Sequence, residues 1–152
     1  MKKNSPFFKP PFIIGCICGA IIIIGVFIWL TKRASIAFEE KLCQDVCEIN
    51  NKLPKKIDEF TILDSVAFIK RKPSEVAYFY RLLGKLDNPD MWNESRIQSY
   101  RSNTLESVAK SETTRPMRER GVLFSYHFYS DSIPQRLLFE FVLGSDDYSK
   151  KE

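Results

Sequence analysis

The sequence predicts an α+β protein, with an N-terminal transmembrane helix followed by an α-β-β-α-β-β domain. Its four-stranded, mainly antiparallel sheet is covered by helices. Three observations carry this. A long uncharged apolar run opens the chain. Two pairs of segments alternate apolar and polar residues across turn signals, which is the pattern of β-hairpins. Between and before these pairs lie stretches whose apolar residues recur at helical intervals.

The membrane segment rests on Phe12 to Leu30, nineteen consecutive residues without a charge, including Ile21 to Ile24 and Val26 to Leu30. As a helix it spans roughly 28 Å, close to the roughly 30 Å hydrocarbon thickness of a bilayer. A helix also satisfies its own backbone hydrogen bonds, which lipid cannot do. Pro10 and Pro11 stand where a helix can begin, Trp29 sits at interface depth, and Lys32-Arg33 closes the far end. A cleaved signal peptide fits less well, because its apolar core is usually about 7–15 residues and needs a small-residue cleavage site. Ile13-Ile14-Gly15-Cys16 only faintly matches a lipoprotein box. The expected division is therefore a leader (1–11), a span (12–31), a soluble domain (32–144) and a polar tail (145–152).

Charge follows the same division. The net +4 comes from 23 basic and 19 acidic residues. Lys2, Lys3, Lys9, Lys32 and Arg33 put +5 in residues 1–33, which hold no acid. The remainder has 18 basic and 19 acidic residues, or −1. The basic excess thus flanks the membrane, and the domain has no global electrostatic reason to bind nucleic acid. Flanking charge is nearly balanced, so orientation follows from the short leader and large C-terminal domain: N-in, C-out at a bacterial inner membrane.

In the soluble chain, Phe38, Leu42, Val46, Ile49 and Leu53 recur at intervals of 4, 4, 3 and 4, one helical face ended by Pro54. With no turn signal after Leu30, the span can continue directly into it. Phe60 to Lys70 and Val76 to Leu82 alternate around Arg71-Lys72-Pro73-Ser74, a hairpin. Asn88 and Pro89 then signal a helix start, with Trp92, Ile97, Tyr100 or Arg101, Leu105 and Val108 facing the core. A short helix over Arg115–Arg120 is stopped by Gly121. Val122 to Tyr129 and Leu137 to Leu143 form the second hairpin around Asp131-Ser132-Ile133-Pro134, with Phe124, Phe128, Phe139 and Phe141 expected in the core. From Ser145 the chain reads as a loose tail.

Leu53-Pro54, Ile57-Asp58, Thr61, Leu63-Asp64 and Val66, then Val76, Tyr78 and Tyr80, then Gly121-Val122, Tyr126, Tyr129-Ser130-Asp131 and the Leu137–Phe141 strand form a recurrent set. Over roughly residues 50–143 it resembles a diffuse family of small exported or membrane-anchored bacterial α+β proteins without an assigned activity. The resemblance implies a compartment and a fold but no chemistry. Where members of that family often carry a cysteine late in the middle helix, this chain has Ala109 and Lys110.

Candidate chemistry is sparse. His127 is the only histidine, and Ser125 and Glu140 can share its hairpin face. A polar patch on a half-exposed sheet accounts for all three. Asp58, Glu59 and Asp64 form a carboxylate cluster suited to turns and solvation, and Asp146-Asp147 lies in the tail. Arg115, Arg118 and Arg120 suit either an acidic partner or a solvated helix. Cys43 and Cys47 have metal-like spacing but lack further ligands, and read as half-buried helix residues. Asn93-Glu94-Ser95 matches a glycosylation acceptor at the frequency expected by chance. No catalytic, cofactor-binding or metal site is expected. Gly15 and Gly19 form G-x-x-x-G in the span, a candidate helix-dimer face. The four tyrosines Tyr78, Tyr80, Tyr126 and Tyr129 suit cross-strand packing or a binding face. The functional expectation is a non-enzymatic interaction module of the cell envelope, with an envelope protein, the bilayer or a second copy as partner; the alternative is an envelope hydrolase.

Overall fold

The computed structural model describes residues 10–148, with side chains described from Val26 onward. The chain divides into two compact units between Lys41 and Leu42. Helix α1 (Pro10–Asn50) provides the first unit and the opening of the second. In the first unit, Val26, Phe27, Ile28, Trp29 and Leu30 are each about half exposed, so this stretch is apolar all round and bare. The Arg33 guanidinium lies 4.3 Å from the centre of the Trp29 ring. Among the described residues no helix is long and apolar enough to cross a membrane. The predicted span 12–31 falls within α1, but its side chains are described only from Val26, so the surroundings of Gly15 and Gly19 lie outside what is described.

The second unit contains one five-stranded sheet in the order β1 (Lys55–Asp58), β2 (Thr61–Ile69), β3 (Glu75–Leu82), β4 (Leu123–Ser130), β5 (Leu137–Leu143). The expected sheet had four strands, mainly antiparallel. It has a fifth, β1, because Lys55-Lys56-Ile57-Asp58 pairs with the start of β2 although all four residues are exposed and show no alternation. The sheet is also mixed: β3 and β4 are parallel, the other neighbours antiparallel. Residues 83–122 make the crossover, long enough to return the chain to the same end of the sheet. That crossover holds two 3₁₀ turns (Gly84–Asp87 and Pro89–Met91), α2 (Glu94–Lys110) and α3 (Arg115–Arg118).

Local signals explain the helix ends. Asn88 caps the 3₁₀ turn, accepting from the Asp90 amide at 3.0 Å, and does not cap α2 as expected. Asn93 does that, accepting from the Arg96 amide at 3.0 Å. Gly121 follows α3 with φ +68°, a conformation that a side chain would strain.

The sheet's core face is aromatic. In register, Tyr78 of β3 faces Tyr126 of β4 and Phe141 of β5, with successive ring centres 5.1 Å apart. One rung along, Tyr80, Phe128 and Phe139 stack at 5.0 and 4.3 Å. Phe124, Phe128, Phe139 and Phe141 are all buried, as the alternation predicts. Trp92 lies 4.3 Å from Phe139 and Tyr100 of α2 meets Phe128 edge-on, so the crossover covers this face.

Two further contacts close the unit. Beyond the reach of β1, the Asn50 side chain donates to the Val66 carbonyl at 2.7 Å and accepts from the Val66 amide at 2.9 Å. At the other end Ser145–Tyr148 forms a helical turn, α4, rather than a loose tail. Asp147 accepts from Arg101 at 2.5 Å and from the Gly144 amide at 2.9 Å. Burial, then the neighbouring Asp147, pushes the Tyr148 phenol up to about 12.

Candidate functional site

Two candidate sites lie on opposite faces of the sheet. On the aromatic face, α2 should present apolar residues at positions i, i+3, i+4 and i+7 of its sheet-facing row. Leu105 and Val108 do so and are buried, whereas the adjoining row is Tyr100, Asn103, Thr104 and Ser107, with Asn103 and Ser107 exposed. A cleft of about 490 Å³ remains between helix and sheet, lined by these four residues with Tyr80, Tyr126 and Val108. A smaller recess of about 170 Å³ continues it toward Ile57, Asp58, Thr61 and Phe128.

The electrostatics of the cleft are those of neutral hydroxyls. Burial, then neighbouring phenols, raises the pKa of Tyr80 and of Tyr126 far above the ordinary phenol value. Tyr100 is raised by burial first and by the charge of Asp58 second. All three therefore remain protonated, each able to donate and accept. The Thr104 hydroxyl is committed to its own helix, donating to the Tyr100 carbonyl at 2.9 Å. Among the described residues, no histidine, cysteine, lysine or arginine lines either part of the cleft.

On the opposite face the structure brings His127, Ser125 and Glu140 together and adds Glu75, which sequence reasoning missed. His127 Nδ1 is 2.8 Å from Glu140 Oε2, and Nε2 is 3.2 Å from Ser125 Oγ. The Ser125 hydroxyl donates to Glu75 Oε1 at 2.5 Å, and Arg71 pairs with the other oxygen of Glu75. Phe79 stacks on the imidazole at 5.0 Å. The order carboxylate, imidazole, hydroxyl has the composition of a hydrolytic triad. Its geometry lacks two requirements. Ser125 is only 1% exposed, with its hydroxyl proton given to Glu75. It also lies within β4, between β3 and β5, where backbone amides serve the ladders and none converge on an oxyanion.

The remaining sequence candidates are satisfied locally. Asp64 receives two bonds from Arg81, at 2.9 and 3.0 Å, and Arg81 also bonds Asp131 at 3.1 Å. Asp58 accepts from the Phe60 amide at 2.8 Å and forms the β1–β2 turn. Arg115 pairs with Glu119 and Glu112, and Arg118 lies over the Tyr148 ring. Asn93 is occupied in capping α2. Cys43 and Cys47 are free thiols and are exposed, not half-buried, because the inward-facing positions of α1 here are Leu42 and Val46. Among the described residues no group of three or more His, Cys, Asp or Glu could hold a metal ion.

Comparison with known proteins supports the fold. A Pseudomonas aeruginosa protein described as secreted superposes with a TM-score of 0.59 at 15% identity, covering 74% of this chain and 90% of that one. The pilotin EpsS of the Vibrio vulnificus type 2 secretion system superposes with a TM-score of 0.54 at 12% identity, covering 72% and 90%. No curated protein matches the sequence. The family model described as a domain of unknown function, DUF8479, matches residues 37–139, and the chain belongs to that family.

Proposed function

We propose that this protein is a non-enzymatic interaction module of the bacterial envelope, tethered by residues 12–31 to the inner membrane with its domain on the outer side. The observation that carries the reading is the burial of Ser125. The grouping with a catalytic composition is sealed into the sheet, while the uncharged cleft under α2 is open. Two further facts support the setting. Val26 to Leu30 expose apolar side chains all round the helix, as a lipid-facing segment does. Proteins of similar fold are described as a secreted protein and as a pilotin of a type 2 secretion system.

The test uses the tagged full chain, crosslinked in intact cells and purified from membranes, beside its His127→Ala variant. A single stoichiometric protein partner, retained by His127→Ala, is the expected result. Turnover of ester, amide or glycoside substrates by the wild type, abolished by His127→Ala, would establish the envelope hydrolase instead.

A further inference from the structure

We infer that the cleft between α2 and the sheet is a peptide-binding site whose occupant is an uncharged, extended segment of a partner protein, held mainly through its backbone. This rests on the interaction-module reading and names the seat and chemistry of the interaction. The first ground is the row on α2. A helix that merely covers a sheet gains most from apolar side chains along its inner row, at roughly 25 cal/mol per Å² buried. Here Leu105 and Val108 make that contact, and beside them a polar row lines an open cleft, with Asn103 and Ser107 exposed at its rim and Thr104 behind them. The space left, about 490 Å³, falls in the range of ligand pockets.

The second ground is charge. Tyr80, Tyr100, Tyr126, Asn103, Thr104 and Ser107 supply only neutral groups, and among the described residues the single carboxylate, Asp58, belongs to the smaller recess. Raised phenol pKa values keep the tyrosines neutral. A charged ligand group would lose its hydration here without a counter-charge. The third ground separates a peptide from a sugar. Sugar rings dock flat on exposed aromatic faces, but stacking within the sheet takes up faces of Tyr80 and Tyr126. Tyr80 and Tyr126 lie near-parallel, 12° apart, and each stacks on a ring of the adjacent strand. Tyr100 meets Phe128 edge-on. The floor therefore offers ring edges and hydroxyls. Neutral groups that both donate and accept match the amides and carbonyls of a backbone.

The experiment uses the full chain in detergent micelles and two probes: a displayed library of random 12-residue peptides, and a chitin tetrasaccharide. Selected peptides should lack Asp, Glu, Lys and Arg in their central residues. Their amide shifts should map to Tyr80, Asn103, Ser107 and Tyr126. Methylating a central peptide amide should weaken binding. Ser107→Trp, which fills the mouth of the cleft, should abolish binding. Tyr80→Phe, which keeps shape and removes one hydroxyl, should weaken it about three- to tenfold. Peptide binding indifferent to both variants, charged peptides released by salt, or binding of the sugar alone would each overturn the inference. Ser107→Trp in crosslinked cells separates the two levels. A partner retained by that variant leaves the module standing and removes the cleft as its seat, whereas no partner with the wild type removes the module.

Discussion

Removing the Phe128 ring should unfold the sheet's aromatic face more than any surface change of equal size. Phe128 is 3% exposed, with Phe139 at 4.3 Å, Tyr80 at 5.0 Å, Tyr100 edge-on at 5.6 Å and Phe141 at 6.0 Å. Truncating a buried phenylalanine costs about 3–5 kcal/mol, from lost transfer energy and the cavity left behind. The upper half of that range applies, because four rings on three elements frame the void and strands β3 and β5 hold theirs in register. The same substitution at Ile133, which is 98% exposed, should change stability by less than about 0.5 kcal/mol. Urea unfolding of the full chain in micelles, followed by near-ultraviolet circular dichroism, measures both. At a slope of about 2 kcal/mol per M, Phe128→Ala should lower the midpoint by roughly 2 M and leave the slope unchanged. A shift below about 0.5 M, or one matched by Ile133→Ala, would refute the assignment of this face to the core.

Other expectations concern the anchor and the phenols. A periplasm-active reporter fused to the C-terminus should function and a cytoplasm-only reporter should stay silent; the reverse pattern would place the domain inside. Replacing Gly15 and Gly19 with Ile should collapse self-association in a membrane assay with insertion unchanged, since close backbone approach must supply the contact in lipid. An unchanged signal would move any dimer to the domain. Tyr80 and Tyr126 have phenols raised in the folded state, so their contribution is complete below the unfolded pKa of about 10 and falls as pH rises through it toward the folded values. Alkaline unfolding should therefore begin near pH 10, and Tyr126→Phe should shift it upward. An onset that Tyr126→Phe leaves in place would assign the transition to other groups.

Much of the domain was legible because period-two alternation is strong in β2 to β5, and Phe124, Phe128, Phe139 and Phe141 all fall on the buried side. Strand direction was not. Val76-Tyr78-Tyr80 and Phe124-Tyr126-Phe128 alternate identically whether the strands run parallel or opposed, and only the length of the crossover favours parallel pairing. Strand β1 carries two lysines and four exposed residues, so no periodicity marks it. Ser125, His127 and Glu140 were placed together by alternation within one hairpin. Glu75, fifty residues before Ser125, joins them through the parallel register that places Ala77 beside Ser125. The cleft left a readable trace, the spacing of Tyr100, Asn103, Thr104 and Ser107, but the eye follows Leu105 and Val108, which do reach the core.

Asn50 has a consequence for the outer edge of the sheet. An open strand edge would recruit a second copy into a growing sheet. β2 runs nine residues, but its register with β1 ends at Leu63. By offering its amide to both backbone groups of Val66, Asn50 stands in for one residue of a missing strand. The lysines of β1 guard the remainder with charge. On this side the chain terminates its own sheet against edge-to-edge pairing.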